Sequence, residues 1–304
     1  MTQAAALKVC VIGLGSMGMG IAGSLLRAGF VVSGCDVSQN ALVQFSGLGG
    51  QGAANPAAAA LGADAVVCVV VNAVQTQTVL FGHDGAARQM APGSVIVSCA
   101  TMAPDAARGF ASQAEAMGLL YLDAPISGGS AKAALGEMTV MASGTPQAFE
   151  CARPVLNAIA SKVYELGDAA GTGAAFKIVN QLLAGVHIAA ACEAMTFAAA
   201  MGLDLARVYE VITASAGNSW MFENRVPHIL DGDYAPRSAV DIFTKDLGIV
   251  TDIGRDLKFP TPVAATAMQM FVMTAAAGMG RDDDASIARM LAGLAGLSLP
   301  EAKA

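Results

Sequence analysis

The sequence predicts an α/β fold: a Rossmann-type doubly wound parallel sheet, followed by an all-helical C-terminal domain joined to it by a long helix. Three observations carry this reading. Short β-branched runs alternate with helix-like stretches through the first half. Those runs are continuous rather than alternating, as in strands covered on both faces. After Gly167 no further strand run occurs, and a long Ala-rich segment without proline (171–201) opens the second half. The length of 304 residues suits two domains, expected at 1–168 and 169–304.

Strands are predicted at 7–12 (LKVCVI), 30–35 (FVVSGC), 65–71 (AVVCVVV), 94–99 (SVIVSC) and 119–122 (LLYL), each bounded by Gly, Pro or Asp. Asn55-Pro56 reads as a helix N-cap and first helical residue. Ala103-Pro104-Asp105 starts another helix, which stops near Gly118. A strand-like piece at 138–143, a helix from Pro146 and a strand near 162–166 are expected to extend the same sheet. Helices are then predicted at 204–216, 238–258, 262–278 and 284–295.

Composition narrows the function classes. Hydrophobic residues make up 55% of the chain and charged residues 13%, which excludes a disordered chain. The most apolar runs, 65–71 and 182–192, fall short of the roughly 18 to 20 residues of a bilayer span. The net charge is −7 and no run of Lys or Arg occurs, which argues against a nucleic-acid partner. An anionic substrate needs a local positive pocket built against that field. Cys10, Cys35, Cys68, Cys99, Cys151 and Cys192 form no C-x-x-C pair, and only three histidines are present. No metal site or disulfide framework is expected, and buried free thiols point to a reducing compartment. No secretory segment is read before Leu7, so the expected location is cytoplasmic.

Residues 7–29 read LKVCVIGLGSMGMGIAGSLLRAG, with a G-x-G-x-x-G match at Gly13, Gly15 and Gly18. A predicted strand precedes the match, a helix follows it, and a second strand ends at Asp36, roughly 20 residues on. Gly13 allows the tight turn, Gly15 lets the backbone approach a pyrophosphate, and Gly18 lets helix and strand pack closely. The helix start, including Leu14, Ser16 and Met17, offers amide N–H groups to the phosphates. Asp36 is placed to accept hydrogen bonds from ribose hydroxyls and to repel a 2′-phosphate. No Arg follows it in Val37-Ser38-Gln39, so the expected cofactor is NAD.

Four more segments follow in order: SCATMAPD (98–105), DAPISGG (123–129), GTGAAFKIVNQ (171–181) and DIFTKDL (241–247). Together with GLGSMG they resemble the β-hydroxyacid dehydrogenase family, from about residue 7 to 290. LLAGVHIAAACEAM (182–195) and SAGNSWMFENRVPHILDGDY (215–234) look most like the family's L-threonate branch. The resemblance implies that the loop at Ser127, Gly128 and Gly129 binds the substrate. Two glycines and a serine there present backbone N–H groups and a hydroxyl, a nest suited to a carboxylate.

The family's catalytic lysine matches Lys177. Residues 177, 180, 181, 184 and 187 share one helical stripe of Lys, Asn, Gln, Ala and His. Such a stripe faces solvent or lines a site. Asn180 matches the family's asparagine, expected to touch substrate and hold the lysine. Gln181 stands where the family usually has a second Asn. It is grouped with the substrate contacts, its role open. Lys245 matches a second family lysine, directed toward the nicotinamide, and alternatively reads as a surface pair with Asp246. Thr101 matches a family cofactor contact, and Asn72 follows a strand along which the cofactor usually passes. His187 and His228 read as structural.

The reaction implied is oxidation of a small anionic hydroxy acid with hydride transfer to NAD and Lys177 as general base. In the L-threonate branch it yields 2-dehydro-L-erythronate. The alternatives are 3-hydroxyisobutyrate or tartronate semialdehyde chemistry, or a silent NAD-binding scaffold, against which Lys177 and Asn180 speak. The resemblance also implies a homodimer or homotetramer.

Overall fold

A computed structural model describes residues 7–302. The segment before Leu7, read above for a secretory signal, lies outside the described residues. The chain divides into two compact units, Met1–Lys177 and Ile178–Ala304.

The first unit runs β1 (Lys8–Ile12), α1 (Ser16–Arg27), β2 (Val31–Cys35), α2 (Gln39–Gly47), β3 (Gln51–Gly52), α3 (Pro56–Ala60), β4 (Ala65–Cys68), α4 (Ala73–Phe81), β5 (Val95–Ser98), α5 (Pro104–Ala116) and β6 (Leu120–Asp123). The six strands form one sheet in the order β3-β2-β1-β4-β5-β6, all parallel. Alternate residues of β1 enter different cores. Val9 and Val11 pack with Ile21, Leu25 and Phe45 on one face, whereas Cys10 and Ile12 pack with Val66, Cys68 and Ile96 on the other. This is why the strands read as continuous apolar runs. Local chemistry sets the helix starts. Asn55 accepts from the Ala58 N–H with Pro56 behind it, and Ala103 precedes Pro104 at the start of α5.

The chain continues through β7 (Ile126–Ser127), α6 (Gly129–Leu135), β8 (Met138–Ala142), α7 (Pro146–Ile159) and β9 (Ala160–Glu165). These strands do not extend the main sheet, as the sequence had suggested. They form a separate sheet, β7-β8-β9, in which β8 pairs antiparallel with β7 and parallel with β9. β8 pairs with Ile126 and Ser127, and an isolated bridge joins Asp123, at the end of β6, to Ser143, just after β8.

Helix α8 (Thr172–Ala200) opens in the first unit and continues into the second. The second unit adds α9 (Leu205–Thr213), α10 (Trp220–Asp231), α11 (Val240–Asp256), α12 (Pro262–Thr274), with a π turn at Ala275–Met279, and α13 (Ile287–Ala295). Its core gathers Ile188, Cys192, Met195, Phe243, Leu247 and Phe271. The stretches Thr172–Ala200 and Pro262–Met279 are long and apolar enough to cross a bilayer by length and composition. Counting uninterrupted apolar runs overlooked them. One face of α8 lies in the core, with Lys177 buried and Ile188, Cys192 and Met195 fully covered, while Phe176, Val179, Leu183 and Phe197 are exposed.

Helix α10 was not predicted, because Pro227 lies inside it. Ser219 caps its start by accepting from the Phe222 N–H. Proline has no N–H for the Glu223 carbonyl one turn back. Tyr209 Oη donates to that carbonyl at 3.1 Å and satisfies it.

A buried ionic cluster holds α10 to the turn before α13. Arg225 grips Asp284 through two nitrogens at 2.5 and 3.0 Å, and His228 Nδ1 meets Asp283 Oδ1 at 2.8 Å. Burial opposes ionisation of Asp283. The hydrogen bond and charge of His228, with the Ala285 and Arg237 N–H groups, outweigh it and hold the carboxyl below its ordinary range. A depressed carboxyl contributes stability that is present above its unfolded value and lost as pH falls through the folded one. Denaturant unfolding followed against pH is therefore expected to show destabilisation below about pH 4. His228→Phe should flatten that acid limb. An unchanged limb would remove the pair from the account.

Candidate active site

The turn between β1 and α1 is shaped by contacts that only glycine tolerates. Gly13 has φ 89°, and a Cβ there would lie 2.5 Å from the Val69 carbonyl oxygen. A Cβ on Gly18 would lie 1.8 Å from the Gly13 oxygen. At Gly15 the reverse holds: a Cβ would meet nothing within 4 Å. That is the open cradle a dinucleotide phosphate requires, beside the N-terminus of α1, where Gly15 supplies no side-chain cap. Leu14, Ser16 and Met17 complete this turn and the first turn of α1.

Asp36 follows β2 directly. Its Oδ2 accepts the Leu14 N–H at 2.6 Å and its Oδ1 the Ser38 N–H at 2.7 Å. The carboxylate is thus locked to the glycine turn, and its further lone pairs suit ribose hydroxyls. The sheet order reverses between β1 and β4, the position at which open α/β sheets bind ligands. Asn72 stands just after β4, and Thr101 in the loop after β5. Asn72 has a structural task as well, since its Oδ1 accepts the Gln75 N–H and caps α4. The residues present fit a bound NAD.

Ser127 ends β7, and Gly128 and Gly129 follow with φ 139° and 79°, conformations that disfavour other residues. Lys177, 7% exposed, donates from Nζ to the Ile126 carbonyl at 2.8 Å, next to Ser127. The fold thus brings the lysine of GTGAAFKIVNQ to the loop of DAPISGG, 51 residues earlier.

Two residues that sequence reasoning gave no role set this geometry. Asp123 Oδ2 accepts the Gly171 and Ala174 N–H groups at 2.9 and 2.8 Å, and Ser143 Oγ accepts the Gly173 N–H at 2.9 Å. These are otherwise orphaned donors of the start of α8. Burial raises the Asp123 pKa, against the lowering effect of those N–H groups and the Ser143 hydroxyl. One turn beyond this anchor stands Lys177. The available signal was Asp123 at the head of DAPISGG, where an Asp ends a buried strand.

In the second unit, Asn180, Gln181 and Lys245 gather around Asp246. Asn180 Nδ2 donates to Gln181 Oε1 at 3.0 Å, and Gln181 Nε2 donates to Asp246 Oδ2 at 2.5 Å. Lys245 Nζ lies 2.7 Å from Asp246 Oδ1. The pair of Lys245 with Asp246 exists, but Asp246 is 1% exposed and therefore no surface residue. His187 lines an apolar cavity of about 800 Å³ bounded by Phe197, Val208 and Phe222.

Residues 8–167 match the family described as the NAD binding domain of 6-phosphogluconate dehydrogenase. Residues 171–291 match that described as NAD-binding of NADP-dependent 3-hydroxyisobutyrate dehydrogenase. The L-threonate dehydrogenase of Cupriavidus necator is 55% identical over 94% of this chain and 97% of its own length. That of Escherichia coli K12 is 49% identical over 97% of each. The crystal structure of a 3-hydroxyisobutyrate dehydrogenase from Salmonella typhimurium is 50% identical, with a TM-score of 0.90 over 93% of this chain and 99% of that one.

Proposed function

Since the chain belongs to the β-hydroxyacid dehydrogenase family, we propose that it oxidises the four-carbon sugar acid L-threonate to 2-dehydro-L-erythronate with NAD. The observation that carries the chemistry is the buried Lys177, hydrogen-bonded beside the Ser127–Gly129 turn. The full-length relatives named L-threonate dehydrogenases support the choice of substrate.

When bound, NAD⁺ supplies the acceptor for the hydride that leaves the carbinol carbon. Gly13, Leu14, Gly15, Ser16, Met17 and Gly18 would hold its pyrophosphate and Asp36 its ribose, with Asn72, Thr101 and Lys245 as further contacts. The Ser127 hydroxyl and the N–H groups of Gly128 and Gly129 bind the substrate carboxylate. Neutral Lys177 takes the hydroxyl proton at Nζ as the carbonyl forms. Its bond to the Ile126 oxygen uses one N–H and orients the amine. Asn180 contacts a substrate hydroxyl. The second unit exposes Leu183, Phe197, Met201, Val211 and Trp220, and such uncovered apolar side chains suit a homodimer or homotetramer. Free thiols throughout suit a cytoplasmic location.

The test is NADH absorbance with purified protein, NAD⁺ or NADP⁺, and L-threonate, D-threonate, D-erythronate, 3-hydroxyisobutyrate and D-glycerate in turn. Turnover of L-threonate with NAD⁺ is expected. Turnover of 3-hydroxyisobutyrate alone would replace the substrate and keep the chemistry, in line with the name of the Salmonella structure.

A further inference from the structure

Gln181 links Asn180 to Asp246, and the structure gives its side chain a specific task. It is buried, and both ends of its carboxamide are engaged within the second unit. An ionised carboxylate only accepts, so toward Asp246 the glutamine must present Nε2–H. Its Oε1 is then directed to Asn180, which must answer with Nδ2–H. Lys245 Nζ lies 2.7 Å from the other Asp246 oxygen, so both oxygens face donors. The polarity of the whole relay is therefore set at Asp246. A free-standing asparagine amide can turn over and exchange its donor and acceptor ends; this one cannot.

We propose that Gln181 is a positioning residue that, with Asp246, fixes the amide of Asn180 so that its carbonyl oxygen is the group offered to a substrate hydroxyl. The substrate class this selects is a polyhydroxy acid whose hydroxyl donates at that point. An asparagine at 181 is one methylene shorter and would not span Asn180 and Asp246 in the same way. The inference rests on the reading of Asn180 as a substrate contact.

Two arms test it on the full chain. In the first, asparagine and glutamine side chains are labelled with ¹⁵N, and the Asn180 and Gln181 NH₂ signals are assigned by substitution. One Gln181 amide proton is expected far downfield and protected from exchange. Gln181→Met and Asp246→Asn should each move the Asn180 NH₂ pair. Asn180 signals that stay in place in both variants overturn the relay, whatever the protein's activity.

The second arm uses Gln181→Glu. Protonated, this side chain donates to Asp246 and accepts from Asn180 with the original polarity; ionised, it sets two carboxylates against each other. The ratio of variant to wild-type kcat/KM on L-threonate should rise roughly tenfold from about pH 9 to about pH 6.5. The ratio for Gln181→Met should be low and flat. Parallel ratios in the two variants overturn the proposal. A wild type that turns over no hydroxy acid instead removes the substrate role of Asn180, and the spectroscopic arm then decides the relay alone.

Discussion

Lys177→Ala is expected to lower kcat by about 10²- to 10⁴-fold, the range for loss of a positioned general base. NAD binding, measured by titration calorimetry, should persist, since the glycine turn and Asp36 lie elsewhere in the first unit. The lysine is buried and donates to a main-chain carbonyl beside the proposed carboxylate nest. A surface lysine would have neither property, and its removal would cost little. Lys177→Met keeps most of the apolar stem and controls for lost packing. Turnover within a few-fold of wild type in both variants would remove Lys177 from the mechanism.

Asp123→Ala is expected to have the largest effect on stability. It strips the acceptor from the N–H groups of Gly171 and Ala174 in a buried place. At about 1–3 kcal/mol for each orphaned donor, the loss is roughly 2–6 kcal/mol. Asp123→Asn retains one acceptor oxygen and should cost less. Denaturant unfolding measures both. Turnover should fall with anchoring in the alanine variant, because Lys177 sits one turn beyond Ala174. An alanine variant as stable as wild type would mean that water or a shifted backbone takes over the anchor.

Much of this architecture was legible from residue pattern. The parallel sheet could be read because its strands are buried on both faces, which writes them as unbroken apolar runs such as Ala65–Cys68. The glycine turn could be read because a strand, a helix and Asp36 surround it at fixed spacing. Two features were not legible for local reasons. The two-residue strand Ile126–Ser127 is too short to carry a pattern, so its capture of β8 into a second sheet was invisible. Helix α10 was hidden by Pro227, whose missing hydrogen bond is supplied by Tyr209 from a different helix.

The candidate site divides in the same way. Lys177, Ser127 and Lys245 are singled out only because the segments that hold them resemble those of a known family. Asp123, Ser143 and Asp246 act by accepting hydrogen bonds from residues far along the chain, and no local window contains both partners.

The sequence by itself determined the doubly wound sheet, the helical second half and the dinucleotide turn. All of these are set by periodicity, by glycine at crowded backbone positions, or by residue type. The tertiary structure alone decided how the reactive groups are held. It anchored α8 on Asp123 and Ser143, turned Lys177 onto the Ile126 carbonyl, and bound Gln181 between Asn180 and Asp246. The reason is physical: a buried hydrogen bond is worth having only when its partner arrives with the right polarity, and chain folding brings partners together from 51 and 65 residues away.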